Sequence, residues 1–231
     1  PCLSRLPRAW QSLLKVPEQK QGYSLLVGAS AAAVLGSDER GVFYGSQTLQ
    51  QCLQARPEGA ALRRVLVIDY PSLQFRGAHL FLGNNALPFH KKLMERIFSH
   101  LKLNALVLES EYTRWDSAPE IAVDFSMDKR DLRQVIAFAQ QHQMEVIPLV
   151  QSMGHSEWIF RNGQNLDITE DPENPRAYCP LNPRTYSFID AVYDEALQLF
   201  VPRFFHIGHD EVNLFGRFPY HEECQRRGCA V

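Results

Sequence analysis

The sequence predicts an α/β chain: part of a small α+β domain, then an incomplete (β/α)8 TIM barrel comprising about its first four βα units. Three observations carry this. After Tyr70, short apolar runs alternate with amphipathic ones, and strands alternating with helices build βα units on a parallel sheet. The strand-like runs are apolar throughout, as in strands covered on both faces. Only about 160 residues follow Tyr70, whereas a complete eightfold barrel takes about 250. A doubly wound open sheet is the rival. It usually carries a glycine-rich phosphate turn after its first strand, and FLGNNALP (81–88) matches that poorly.

In chain order, GYSLLVG (22–28) and AAAVLG (31–36) read as two short strands joined by a turn. GVFYGSQTLQQCLQ (41–54) follows with helical spacing, and RRVLVIDYP (63–71) is a strand ended by Pro71. These form the partial α+β domain, residues 1–69. Residues 70–231 are the expected N-terminal half of the barrel. LQFRGAHLFL (73–82) is its first strand, and PFHKKLMERIFSHLKL (88–103) is a helix with Leu93, Ile97 and Leu101 on one face. NALVLES (104–110), MEVIPLV (144–150) and RFFHIG (203–208) are strands. Helices at 128–143 and 183–200 connect them. The second begins with Pro183, whose fixed φ and missing N–H suit a first helical position.

Composition bounds the function. The chain has 231 residues, 45% hydrophobic and 22% charged, with net charge −2. Near-neutral charge gives no electrostatic reason to expect nucleic acid or an anionic membrane as partner. No apolar stretch approaches the roughly 20 residues of a membrane-spanning helix. No secretory signal is visible, but the chain begins at Pro1, so its compartment stays open. The five cysteines are scattered and odd in number, which is not a disulfide framework. Cys224 and Cys229 lack the second pair that a metal site of that type needs.

Polar residues gather at the carboxyl ends of the predicted strands, where βα barrels build active sites. Arg76 lies in the first strand, and Glu109 and Glu111 end the second. Gln151, His155 and Glu157 follow the third; His206, His209, Asp210 and Glu211 sit at the fourth. Each has a plainer role open to it: a structural ion pair for Arg76, solvated loop acids for Glu109 and Glu111, a cap for His155. Packing would suffice for Trp115 and Trp158, and a core hydrogen bond for His206. The H-x-x-H spacing of His206 and His209 puts two rings on opposite faces of a strand, unlike the one-faced pair of a helical zinc site.

The neighbouring acids Asp210 and Glu211 are harder to explain away. On a regular strand they point to opposite faces. For both to meet one substrate, the chain must leave strand geometry at Gly208–His209, and glycine permits that. Adjacent carboxyls push their pKa values apart, so one holds a proton while the other stays ionised. That split suits glycoside cleavage, where a proton must reach the leaving oxygen as positive charge grows at the anomeric carbon.

FHIGHDEV resembles the H-x-G-x-D-E signature of glycoside hydrolase family 20, the β-N-acetylhexosaminidases. GVFYGSQTLQQCL resembles the G-x-x-x-G-x-x-T-L-x-Q segment of the small domain that precedes this family's barrel. IDYPSLQFRG resembles its D-x-P-x-x-x-x-R-G approach to the first strand, and KLNAL its K-x-N-x-L. IPLVQSMGHSEWIF and CPLNPRTYSFIDAVYDEALQLF resemble the third strand with its loop and the helix before the acids; these look especially close to the hexosaminidase D-like branch, which carries I-P-L-V-Q-x-x-G-H. The matches run in order from Tyr23 to Gly216.

The resemblance implies a retaining exo-β-N-acetylhexosaminidase using substrate-assisted catalysis on an oligosaccharide or glycoconjugate with a terminal N-acetylhexosamine. It needs no metal and no organic cofactor. Glu211 matches the general acid/base, and Asp210 the residue that holds the substrate's acetamido N–H. Arg76 matches the arginine that binds sugar hydroxyls, and His155 a histidine that supports the acid/base. Glu111, His209 and Trp158 complete the expected substrate side, with His206 and Glu109 behind them. Two departures stand out. Tyr112 occupies the position of a usual aspartate that pairs with the histidine, and the sequence leaves open whether neighbouring Glu111 replaces it. The family's sugar-stacking tryptophans come from later strands, absent from these 231 residues. Half a barrel leaves open sheet edges, so the chain alone is expected to be unstable or aggregated. A non-catalytic N-acetylhexosamine-binding relative is the alternative function.

Overall fold

The computed structural model describes residues 6–211 and Arg226. Cys2, Cys224, Cys229 and the Val212–Gly216 end of the motif matches lie outside the described residues. The chain forms two compact units. The first gathers residues 6–77, 92–104 and 141–144; the second gathers 78–91, 105–140 and 145–211.

The first unit opens with helix α1 (Arg8–Leu13). Strands β1 (Tyr23–Val27), β2 (Ala32–Gly36) and β5 (Val65–Asp69) form an antiparallel sheet in the order β2-β1-β5. Helix α2 (Glu39–Gln51) starts at Asp38, whose carboxylate accepts from the Gly41 N–H at 2.8 Å. This N-cap satisfies one of the helix's orphan donors. Tyr23, Leu25, Val27 and Tyr44 form the buried core, with Val34, Phe43, Leu49, Val65 and Val67 against it. The expected helix over 41–54 is corrected at its end. A hairpin of β3 (Leu53–Arg56) and β4 (Gly59–Leu62) forms instead, turning at Pro57–Glu58.

The second unit carries a four-stranded sheet in the order β6 (Gly77–Phe81), β7 (Ala105–Glu109), β8 (Glu145–Ser152) and β9 (His206–Gly208). The pairs β7–β8 and β8–β9 are parallel. The connecting helices are α3 (Ala86–Leu93), continued by a π-turn over Met94–Phe98, then α4 (Lys129–Gln141) and α5 (Pro183–Phe200). Helix α5 has Pro183 at its start, and the Asn182 side chain accepts from the Arg184 N–H at 3.0 Å. The central strand β8 is buried along nearly its whole length, which explains its continuous apolar sequence. Strands β6 and β9 lie at the two ends of the described sheet. They leave Phe81 67% and Ile207 45% exposed. The strand expected over 203–208 therefore shortens to three residues, and the one expected over 144–150 lengthens through Gln151 and Ser152.

Candidate active site

The site is built where β8 and β9 end. Leu149 pairs with His206 and Ser152 with Gly208, so β8 takes one more step than β9 between the two pairs. Such a bulge re-aims a side chain and is common beside active sites. Here it falls at Val150 and Gln151, opposite Ile207. The Gln151 N–H donates to Glu111 Oε1 at 2.6 Å, and its C=O accepts from Trp158 Nε1 at 2.9 Å. Its side-chain Nε2 donates to Asp210 Oδ2 at 2.9 Å.

From Gly208 the chain turns out of strand geometry. Gly208 and His209 have φ of 73° and 72°. A Cβ at Gly208 would collide with Gln151 Oε1, so glycine serves both the left-handed backbone and the close approach. The His209 N–H donates to Ser152 O at 3.1 Å, fastening the turn to β8. Gly154 faces it from the β8 side, and a Cβ there would strike the Asp210 carbonyl and the Glu211 backbone. His155, left-handed at φ 52°, follows, and its Nε2 stands 3.4 Å from Glu211 Oε2. Both acids thus stand beside one short segment, residues 151–155: Asp210 hydrogen-bonded to Gln151 and Glu211 close to His155. Both acid residues are exposed.

Behind this surface lie two further carboxyls. Glu111 is 4% exposed. Burial, with the charge of Glu109 adding, pushes its carboxyl up to about 8. Its Oε2 has no hydrogen-bond partner among the described residues. Glu109 is also raised, first by burial and further by the Asp210 charge, while His79 and His155 oppose the shift. Its Oε2 pairs with His79 Nε2 at 2.9 Å. Tyr193, from α5, donates to Val150 O at 3.4 Å, and burial pushes its phenol up to about 12, so it stays neutral.

Several expectations are corrected. Arg76 belongs to the first unit. Its guanidinium donates to Lys102 O, Leu73 O and Gln21 Oε1 at 2.8, 2.6 and 2.7 Å. Three of its five N–H groups are thus engaged within the first unit, so the structure shows it in a structural role. Glu111 is a buried brace for Gln151, out of reach of substrate. Trp158 is 2% exposed and packs beneath Gln151, which rules out stacking on a sugar from this position. Neither Glu111 nor Tyr112 partners His155. The Tyr112 hydroxyl accepts from Arg161 at 2.7 Å, and its ring packs on Phe125. Glu109 is the carboxyl whose charge reaches both His155 and Asp210. His206 and His209 are exposed, and His206 Nδ1 accepts from the Gly208 N–H at 3.0 Å. Sequence reasoning gave no role to His79 or Gln151. His79 carried no signal beyond its place in the first strand, and Gln151 carried its place after the third strand, within the IPLVQSMGHSEWIF match.

Parallel strands with acids and histidines at their carboxyl ends define an α/β site of the TIM-barrel kind. Residues 84–228 match the family model Glycosyl hydrolase family 20, catalytic domain, and residues 6–70 match Glycosyl hydrolase family 20, domain 2. The chain belongs to glycosyl hydrolase family 20. It is 26% identical over 228 residues to a β-hexosaminidase of Vibrio furnissii, covering 82% of this chain and 37% of that protein. Hexosaminidase D of Bos taurus is 29% identical over 87 residues, covering 37% of this chain and 25% of that one. In structure the chain is similar to the exo-β-N-acetylglucosaminidase of Vibrio harveyi, solved with N-acetylglucosamine. The TM-score is 0.75 at 21% identity, covering 92% of this chain and 40% of that chain. The chain thus spans little more than a third of the first curated relatives it matches, 37% and 35% of the leading two.

Proposed function

We propose that the whole protein is a retaining exo-β-N-acetylhexosaminidase, removing terminal N-acetylglucosamine or N-acetylgalactosamine from an oligosaccharide or glycoconjugate. On this reading, residues 70–231 supply about the first four βα units of its barrel, and residues 1–69 part of the α+β domain before it. The observation that carries the proposal is that two adjacent acids meet one strand end separately, Asp210 hydrogen-bonded to Gln151 and Glu211 3.4 Å from His155. Two acids held apart in this way can do different work on one sugar.

In the proposed reaction, Asp210 accepts the acetamido N–H and orients that group. The acetamido oxygen attacks the anomeric carbon as the bond to the leaving oxygen breaks, and Glu211 gives that oxygen its proton. The product is a cyclic oxazolinium whose positive charge lies beside Asp210. Glu211, now ionised, takes a proton from water as the water attacks the anomeric carbon and the acetamido oxygen departs. Two inversions leave the configuration retained. Proton donor and nucleophile both come from side chain and substrate, so the steps call on no metal or cofactor.

Tyr112, where the family usually has an aspartate, favours a second reading: a relative that binds N-acetylhexosamine without cleaving it. Turnover by the full-length protein separates the two. Release of 4-nitrophenol from its β-N-acetylglucosaminide, and not from its β-glucoside, is expected. Calorimetric binding of N-acetylglucosamine with no turnover would favour the second reading instead.

A further inference from the structure

We infer that Gln151 is the positioning residue for Asp210: its amide fixes Oδ2 of that carboxylate and turns Oδ1 toward the substrate's acetamido N–H. This rests on the proposed hydrolase function. The contact is direct, Nε2 to Oδ2 at 2.9 Å. What separates it from a chance surface contact is how Gln151 itself is held. Its residue is 6% exposed. The bulge opposite Ile207 takes its N–H out of the β8–β9 ladder and gives it to Glu111 at 2.6 Å. Its C=O is taken by the buried indole of Trp158 at 2.9 Å. Gly208, having no Cβ, lies directly on the amide oxygen. Backbone N–H and C=O are therefore fixed by Glu111 and Trp158, the amide oxygen is buried against Gly208 without a hydrogen-bond partner among the described residues, and the amide N–H is given to Asp210.

The choice of an amide has a chemical consequence. Among the ionisable groups around Asp210 are Glu109 and Glu111 on the β7 side, His155 and Glu211 beside it, and His206 and His209 on its own segment. An amide donates to Asp210 at every pH and adds no charge to this crowd. A carboxyl in its place donates only while protonated. Positioning of this kind acts on the reaction more than on affinity, since a displacement of about 1 Å costs on the order of 100-fold in rate.

The test uses the full-length protein and 4-nitrophenyl β-N-acetylglucosaminide. Gln151→Met keeps length and removes the donor. It should lose about 10- to 100-fold in kcat, with KM within about threefold of wild type. Gln151→Glu supplies a second readout that does not depend on the first variant folding well. Its rate relative to wild type should be highest at acid pH, where the new carboxyl keeps a proton to donate, and should fall as pH rises. A purely structural role would lower the melting temperature and leave that ratio flat with pH. Wild-type kcat in Gln151→Met, or a flat Gln151→Glu ratio, overturns the inference while the hydrolase reading stands. An inactive wild-type protein overturns both.

Discussion

Replacing Glu111 by glutamine should reverse its effect on stability between acid and alkaline pH. The carboxyl sits 4% exposed behind Gln151 and is pushed up to about 8 from an ordinary 4.5, by burial first and by the charge of Glu109 second. In the unfolded chain it ionises near 4.5; in the folded chain it holds its proton to about 8. Stability is therefore fullest below the lower value and is lost as pH rises through that window, because the unfolded state sheds its proton first. A shift of this size, at 1.36 kcal/mol per unit, amounts to about 5 kcal/mol once both states are ionised. Glutamine keeps an oxygen for the Gln151 N–H and carries no charge. Its NH2 then stands where the unpartnered Oε2 is now, at a cost of about 1–3 kcal/mol. The variant should be less stable than wild type by about 1 kcal/mol at pH 5 and more stable by about 2–4 kcal/mol at pH 8.5. Urea unfolding of the full-length protein at both pH values, followed by tryptophan fluorescence, measures the difference. A gap of constant sign and size across that range would refute the placement of Glu111 as a buried, proton-holding brace.

Two other substitutions probe the same frame. Trp158→Phe removes the indole donor to Gln151 O and should cost about 1 kcal/mol of stability. Because the ring is a packing residue beneath the site, KM for the 4-nitrophenyl substrate should stay near wild type; a large rise in KM would restore Trp158 as a sugar contact. Glu195 is held down at about 2: burial opposes ionisation, but Lys129 and the N–H groups of Asp116 and Ser117 outweigh it. Its stabilisation is present above the ordinary carboxylate value and lost as pH falls toward 2. Glu195→Gln should therefore lower the melting temperature at pH 7 and lower it several-fold less near pH 2.5, which calorimetry at the two pH values would check.

Much of the scaffold was legible because it follows local rules. Helix α5 begins where Asn182 and Pro183 place it, and the apolar runs of β7 and β8 mark strands covered on both faces. Strand ends were less legible. Gln151 and Ser152 look like loop residues in sequence, yet their backbone groups are taken up by Glu111 and His209, which extends β8. The β3–β4 hairpin was hidden because the periodicity of α2 runs on into Leu53 and Gln54. The departure from strand geometry at Gly208 was legible from the adjacent acids and the glycine before them, since no regular strand can present both on one face. The roles of Arg76 and Glu111 could not be read this way. Whether an arginine meets a ligand or a set of carbonyls depends on acceptors such as Gln21 and Lys102, distant in sequence. Whether a glutamate is solvated or buried depends on what packs over it.

The central claim is a division of labour between Asp210 and Glu211 on one sugar. Its most direct measurement is kcat/KM for Glu211→Gln and Asp210→Asn in the full-length protein, each on 4-nitrophenyl β-N-acetylglucosaminide and on a substrate with a sugar leaving group. Loss of the proton donor should cost about 10²- to 10⁴-fold when the sugar must depart and far less with 4-nitrophenolate, which leaves without help. Loss of the acetamido-orienting carboxylate should cost both substrates about equally. Equal penalties from Glu211→Gln on the two substrates, or wild-type rates from either variant, would contradict the account.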